Sequence, residues 1–142
     1  MKLWKNVVTA IALVTPVLLP FSVQAQTMSF EEAATILLKS CEKDIGKLCP
    51  GVNLGSGRLR NCLDQKQASV SAQCKADLGR ALDGIQRRAQ ARVAVLKICE
   101  RDGLRLCGSV QRGDGQILEC MILAQRSVSA KCNQAITDAG YR

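Results

Sequence analysis

Eight cysteines fall in two sets of four, Cys41, Cys49, Cys62, Cys74 and Cys99, Cys107, Cys120, Cys132, and the second set repeats the spacing of the first at a constant offset of 58 residues. Such recurrence marks a tandem duplication of one four-cysteine unit. A unit of this size cannot hold itself together by an apolar core alone, so cross-links must supply part of its stability. Metal binding is the competing use of clustered cysteines. The chain has no histidine and no Cys-x-x-Cys pair, and separations of 8, 13 and 12 residues within each set do not match a zinc knuckle or ribbon. Four disulfides are therefore expected, with no metal and no cofactor.

The N-terminus fits an oxidising destination. Lys2 and Lys5 precede a mostly apolar run from Val7 to Leu19, and Val23-Gln24-Ala25 offers a small-residue cleavage site. This predicts a signal peptide over residues 1–25 and export to a periplasm or the medium. The run is short for a membrane span, which needs roughly twenty apolar residues, and nothing after residue 26 reads as a span. Loss of Lys2 and Lys5 takes the formal charge from +8 to +6, a positive balance that favours anionic partners. Trp4 and Phe21 would leave with the leader, so Phe30 and Tyr141 remain as the only aromatic residues. The core must then be Leu, Ile, Val, Ala and cystine, and the lack of stacking rings argues against nucleic acid as a partner.

Hydrophobic periodicity is helical throughout. Ser29 and Glu32 have the spacing of a capping box, and Ala33, Ile36, Leu37, Cys41, Ile45 and Leu48 recur at steps of three and four on a helix ending near Cys49. Pro50-Gly51 stops it, Gly55-Ser56-Gly57 forms a loop, and Leu59, Cys62 and Leu63 begin a short second helix. Ser71 is an N-cap for a third helix whose stripe, Cys74, Leu78, Leu82, Ile85, Ala89, Val93 and Leu96, does not pause before the second repeat. A bend is expected near Gly84. The fold class is all-α: two tandem disulfide-stapled helical repeats, residues 26–86 and 87–142, packed as a short solenoid.

Four cysteines allow three pairings in each repeat. If the first helix descends to the loop and the second climbs back, Cys49 and Cys62 lie at the loop end, while Cys41 is about 12 Å higher and close to the start of the third helix. This favours a nested arrangement, Cys41 with Cys74 and Cys49 with Cys62, then Cys99 with Cys132 and Cys107 with Cys120.

Several motifs recur with the cysteines. Cys41-Glu42-Lys43-Asp44, Leu48-Cys49-Pro50-Gly51, Gly55-Ser56-Gly57, Cys62-Leu63 and Ser71-Ala72-Gln73-Cys74 resemble the cysteine-rich repeat family of the Golgi sialoglycoprotein, also described as a cysteine-rich fibroblast growth factor receptor and E-selectin ligand. Repeat two departs at Gly108 and Met121. The resemblance implies a helical, disulfide-bonded, extracytoplasmic repeat, here in a small two-repeat form of bacterial exported type. The growth-factor and selectin binding of the large animal proteins is not carried over.

No residue set points to catalysis. The glycine pairs Gly55-x-Gly57 and Gly113-x-Gly115 lack the strand and the Gly-Lys-Ser/Thr of a phosphate loop, and read as tight turns entering helices. The recurring carboxylates Asp44 and Asp102 belong to separate, equivalent units and are expected to pair locally with Lys39, Lys43, Lys97 or Arg101. Arg87, Arg88, Arg92, Lys97, Arg101 and Arg105 make the central helix basic: either a solvated helix face or a contact strip for an anionic envelope component or an acidic protein. The expectation is an exported cysteine-rich repeat protein with a binding or structural role in the cell envelope and no enzymatic activity. A thiol-disulfide-responsive envelope stress protein and a small secreted inhibitor presenting the loop from Val52 to Gly57 are the alternatives.

Overall fold

The computed structural model describes residues 26–53 and 55–142, and the leader assigned to residues 1–25 lies outside them. Helix α1, Phe30–Leu48, starts at the capping box: the Glu32 amide donates to Ser29 Oγ at 3.1 Å and the Ser29 amide to Glu32 Oε2 at 2.7 Å. A left-handed turn, with Ser56 at φ 57° and Gly57 at φ 69°, leads into α2, Arg58–Gln65. Ser71 caps α3, Ala72–Ile98, accepting from the Cys74 amide at 3.2 Å. Then follow α4, Glu100–Cys107, α5, Gln116–Leu123, and α6, Ala130–Asp138, the last capped by Ser129. The described residues form helices and no strand, and α2 and α5, like the two serine caps, are related by the same 58-residue offset as the cysteines.

The four disulfides are Cys41–Cys74, Cys49–Cys62, Cys99–Cys132 and Cys107–Cys120, the nested arrangement. Each repeat gathers its core around them. Leu59, Leu63 and Val70 surround the first two, while Val95, Met121, Val128 and Ile136 surround the second two.

Helix α3 serves both repeats, and the structure corrects the sequence reading of it in two ways. It runs unbroken through Gly84, and the interruption comes instead at Cys99, where φ −92° and ψ 0° leave the helical region before α4 begins. Repeat one has no such break at the equivalent Cys41, which lies within α1. Downstream, repeat two carries Gly103 where repeat one has Ile45, so α4 can close on α5: a Cβ at Gly103 would sit 3.2 Å from Ile117 Cγ2. The redirected α4 follows from that close approach.

The second correction concerns the buried face. Cys74, Asp77, Ala81, Gly84, Val95 and Cys99 are the buried positions of α3 and its cap, whereas Val93 is 83% exposed and Leu96 62%. The disulfides decide this, because Cys74 holds α1 and Cys99 holds α6 against the same side of α3. Gly84 is enclosed because the Met28 amide donates to its carbonyl at 3.0 Å and a Cβ there would meet Met28 Cβ at 2.6 Å. Close approach of the segment before α1, rather than flexibility, accounts for this glycine. The boundary drawn between residues 86 and 87 falls inside α3.

Candidate functional site

The recurring aspartates find other partners than the expected lysines. Asp44 Oδ2 accepts from the Ser71 amide at 3.3 Å and from Ser71 Oγ at 2.6 Å. Asp102 Oδ2 accepts in the same way from Ser129, at 3.1 and 2.6 Å, and its Oδ1 accepts from Arg105 Nη2 at 2.7 Å. Each pair sits three residues from a disulfide on both strands of the joint. The motif is therefore Cys-x-x-Asp on one helix against Ser-x-x-Cys at the start of another, a covalent bond and a charged hydrogen bond side by side. The Ser129 hydroxyl, then the Arg105 guanidinium, hold the Asp102 carboxyl below its ordinary value of 3.8. Both aspartates are thus engaged by the fold.

Asp77, 4% exposed, has no counterpart in repeat two, where Ala135 takes its place. It accepts from Gln73 Nε2 at 2.9 Å and pairs with Arg80, and these bonds lower its pKa, Gln73 contributing most. The Ser40 hydroxyl, which donates to the Ile36 carbonyl at 3.0 Å, adds a smaller lowering.

The six basic residues of the proposed strip divide into two groups. Arg88 is half-buried, with Nη2 3.7 Å from Glu32 Oε2 and its guanidinium over Gly140. Arg92 Nε donates to the Ala139 carbonyl at 3.0 Å, and its guanidinium lies 5.7 Å from the Tyr141 ring centre. Arg105 donates to Asp102 and to the Ser127 carbonyl, both at 2.7 Å. Arg88 thus joins the start of repeat one to the end of repeat two, whereas Arg92 and Arg105 make their contacts within repeat two. Arg87, Lys97 and Arg101 are exposed and make no ion pair among the described residues. Lys97 stands one turn from Val93 on the same side of α3, so a cation adjoins an uncovered apolar side chain.

Arg88 and Arg92 were legible in the sequence as charge but not as structure. They are one turn apart and face the end of α6, which closes in a Schellman motif: Gly140 has φ +76°, its amide donates to the Thr137 carbonyl at 2.9 Å, and the Tyr141 amide donates to the Ile136 carbonyl at 3.1 Å. A cation at this end meets the negative pole of the helix. The signal that could have found it is Gly140 itself, a terminator eight residues past Cys132 where repeat one has Leu82.

No family model matches the sequence, and no solved structure does. Among curated proteins it is similar to Golgi apparatus protein 1 of Homo sapiens, Mus musculus and Gallus gallus, in each case 26% identical over 108 aligned residues. The alignment covers 68% of this chain, and the chain spans about 9% of the length of these relatives. Taken with the geometry, the chain is a small, cysteine-rich, disulfide-bonded helical protein with similarity to a short stretch of a Golgi protein.

Proposed function

We propose that this protein is an exported, non-catalytic binding module of the cell envelope, matured by removal of residues 1–25, whose contact surface is the outer face of α3. The observation that carries this reading is the uncovered pair Val93 and Leu96, 83% and 62% exposed, beside Lys97 and with Arg87 farther along the helix. Apolar side chains of this size on a central helix, next to unpaired cations, suit an anionic amphipathic surface. Support for export comes from the disulfides, which persist in oxidising compartments, and from similarity to a protein named for the Golgi apparatus. Support for a non-catalytic role comes from the chemistry available: no histidine, every cysteine in a disulfide, and the repeated aspartates bound to serine caps.

Retention on heparin and on phosphatidylglycerol vesicles tests the surface. The double variant Arg87→Glu, Lys97→Glu should lose both, and Val93→Asp with Leu96→Asp should lose the vesicles. Unchanged retention in both variants would overturn the assignment.

A further inference from the structure

The two repeats share one plan but fill it differently. In repeat two, Val95, Met121 and Ile136 are at most 1% exposed, and Arg88 lies across the Gly140 turn. The positions 58 residues earlier are Leu37, Leu63, Leu78 and Phe30. Leu37 and Leu78 are only half-buried, and the Phe30 ring is 78% exposed instead of closing the end. Between α1, α2 and α3 this leaves a groove of about 380 Å³. Ala33, Leu37, Leu59, Leu63, Leu78 and Leu82 line it, Phe30 forms its lip, and Arg60 is the one charged side chain in its wall among the described residues. The volume lies within the range of small-ligand pockets, which are apolar with a few placed polar groups.

The dimensions choose the occupant. On α1 the lining runs from Phe30 to Ile45, about 22 Å at the helical rise. A groove of this volume drawn out over that length has room for an extended hydrocarbon chain and is too narrow for a helix about 10–12 Å across. Arg60 makes a solvated pair with Asp64 at 3.5 Å through Nε, both side chains 57% exposed, which leaves its terminal N–H groups for a carboxylate. We propose that the groove of repeat one binds a free fatty acid, with the alkyl chain between α1 and α3 and the carboxylate at Arg60. Repeat two has its own apolar cavity, smaller at about 240 Å³ and placed on the other side of Met121, against Leu96, Gly103 and Leu104, so it is not the counterpart of this groove. This inference is independent of the outer face of α3.

Calorimetric titration of dodecanoate into the oxidised full chain, below its micelle concentration, with dodecyltrimethylammonium in parallel, tests it. Dodecanoate should bind one per chain and at least tenfold more tightly than the cation. Arg60→Glu, at an exposed position of α2, should keep the helical circular dichroism and reverse the preference. Leu82→Trp should narrow the groove and weaken dodecanoate tenfold or more. Equal affinity for the two amphiphiles, no heat at millimolar dodecanoate, or an unchanged preference in Arg60→Glu would overturn the site, whether or not Leu82→Trp folds.

Discussion

Asp102 accepts from both the amide and the hydroxyl of Ser129, at 3.1 and 2.6 Å, three residues from a disulfide on either side. The serine hydroxyl also accepts from the Cys132 amide at 3.3 Å, so one side chain caps α6 and binds the aspartate of α4. Removing the carboxylate leaves the cap without its outer partner. Asp102→Ala should lower Tm by on the order of 5–10 °C. Asp44→Ala should cost less, since Asp44 lacks the arginine that Asp102 has in Arg105. Differential scanning calorimetry of the oxidised variants checks the order; an Asp44 effect larger than that of Asp102 would refute it.

The same carboxylate sets an acid limit. Its folded pKa lies below 3.8, lowered first by Ser129 and then by Arg105, so the unfolded chain takes up its proton first as pH falls. The stabilisation is therefore complete above about pH 4 and is lost as pH drops through the folded value. Asp77, through Gln73 and Arg80, and Glu32, through the Ser29 amide, act with the same sign. Urea midpoints at pH 7, 4, 3 and 2 should stay level to about 4 and then fall, with a shallower fall in Asp102→Asn. A midpoint that rises between pH 4 and 3 contradicts this.

The disulfides differ in access and in the loop they close. Cys41, Cys74, Cys99 and Cys132 are all fully buried, whereas Cys62 and Cys120 are only partly so. Partial reduction with a water-soluble phosphine, followed by alkylation and mass mapping, should label Cys62 and Cys120 with their partners first. In the chain-entropy model, loops of 33 residues contribute about 4 kcal/mol and loops of 13 about 3 kcal/mol. Full reduction should then abolish native helicity. Early labelling of Cys41 or Cys99 would be the contrary result.

Gly140 combines a left-handed backbone with a crowded site. Gly140→Ala places a Cβ 2.5 Å from Arg88 Nη1 at φ +76°, and should destabilise by about 1–3 kcal/mol from the backbone alone. Adding Arg88→Ala should recover the part due to the clash, so the two changes are not additive. Strict additivity in a chemical-denaturation cycle would show that the guanidinium does not pack on this turn.

Helix starts were legible because serine caps and the capping box are local chemistry: Ser29, Ser71 and Ser129 each accept from the amide three residues on. The disulfide arrangement was accessible from helix rise and loop position. The buried face of α3 was legible only in its first half: Leu78, Leu82 and Ile85 are partly buried as the stripe predicts, but Ala89, Val93 and Leu96 continue it just as regularly onto an exposed face, and only the neighbours held by Cys74 and Cys99 reveal the change. The aspartate–serine joints were missed for a related reason: both members of each pair recur in the sequence, but 27 residues separate them. Arg88 and Arg92 looked like solvated charge because the turn they cover lies about fifty residues downstream.

A duplication whose seam lies in mid-helix carries a condition on length. Cys74 and Cys99 are 25 residues apart along α3, close to seven full turns at about 3.6 residues per turn, so both sulfurs leave the helix in the same direction. Inserting or deleting one residue between them would rotate one repeat against the other by about 100°. The shared helix therefore acts as a phase lock, and the spacing between repeats is held to whole turns even where the residues along it are free to vary.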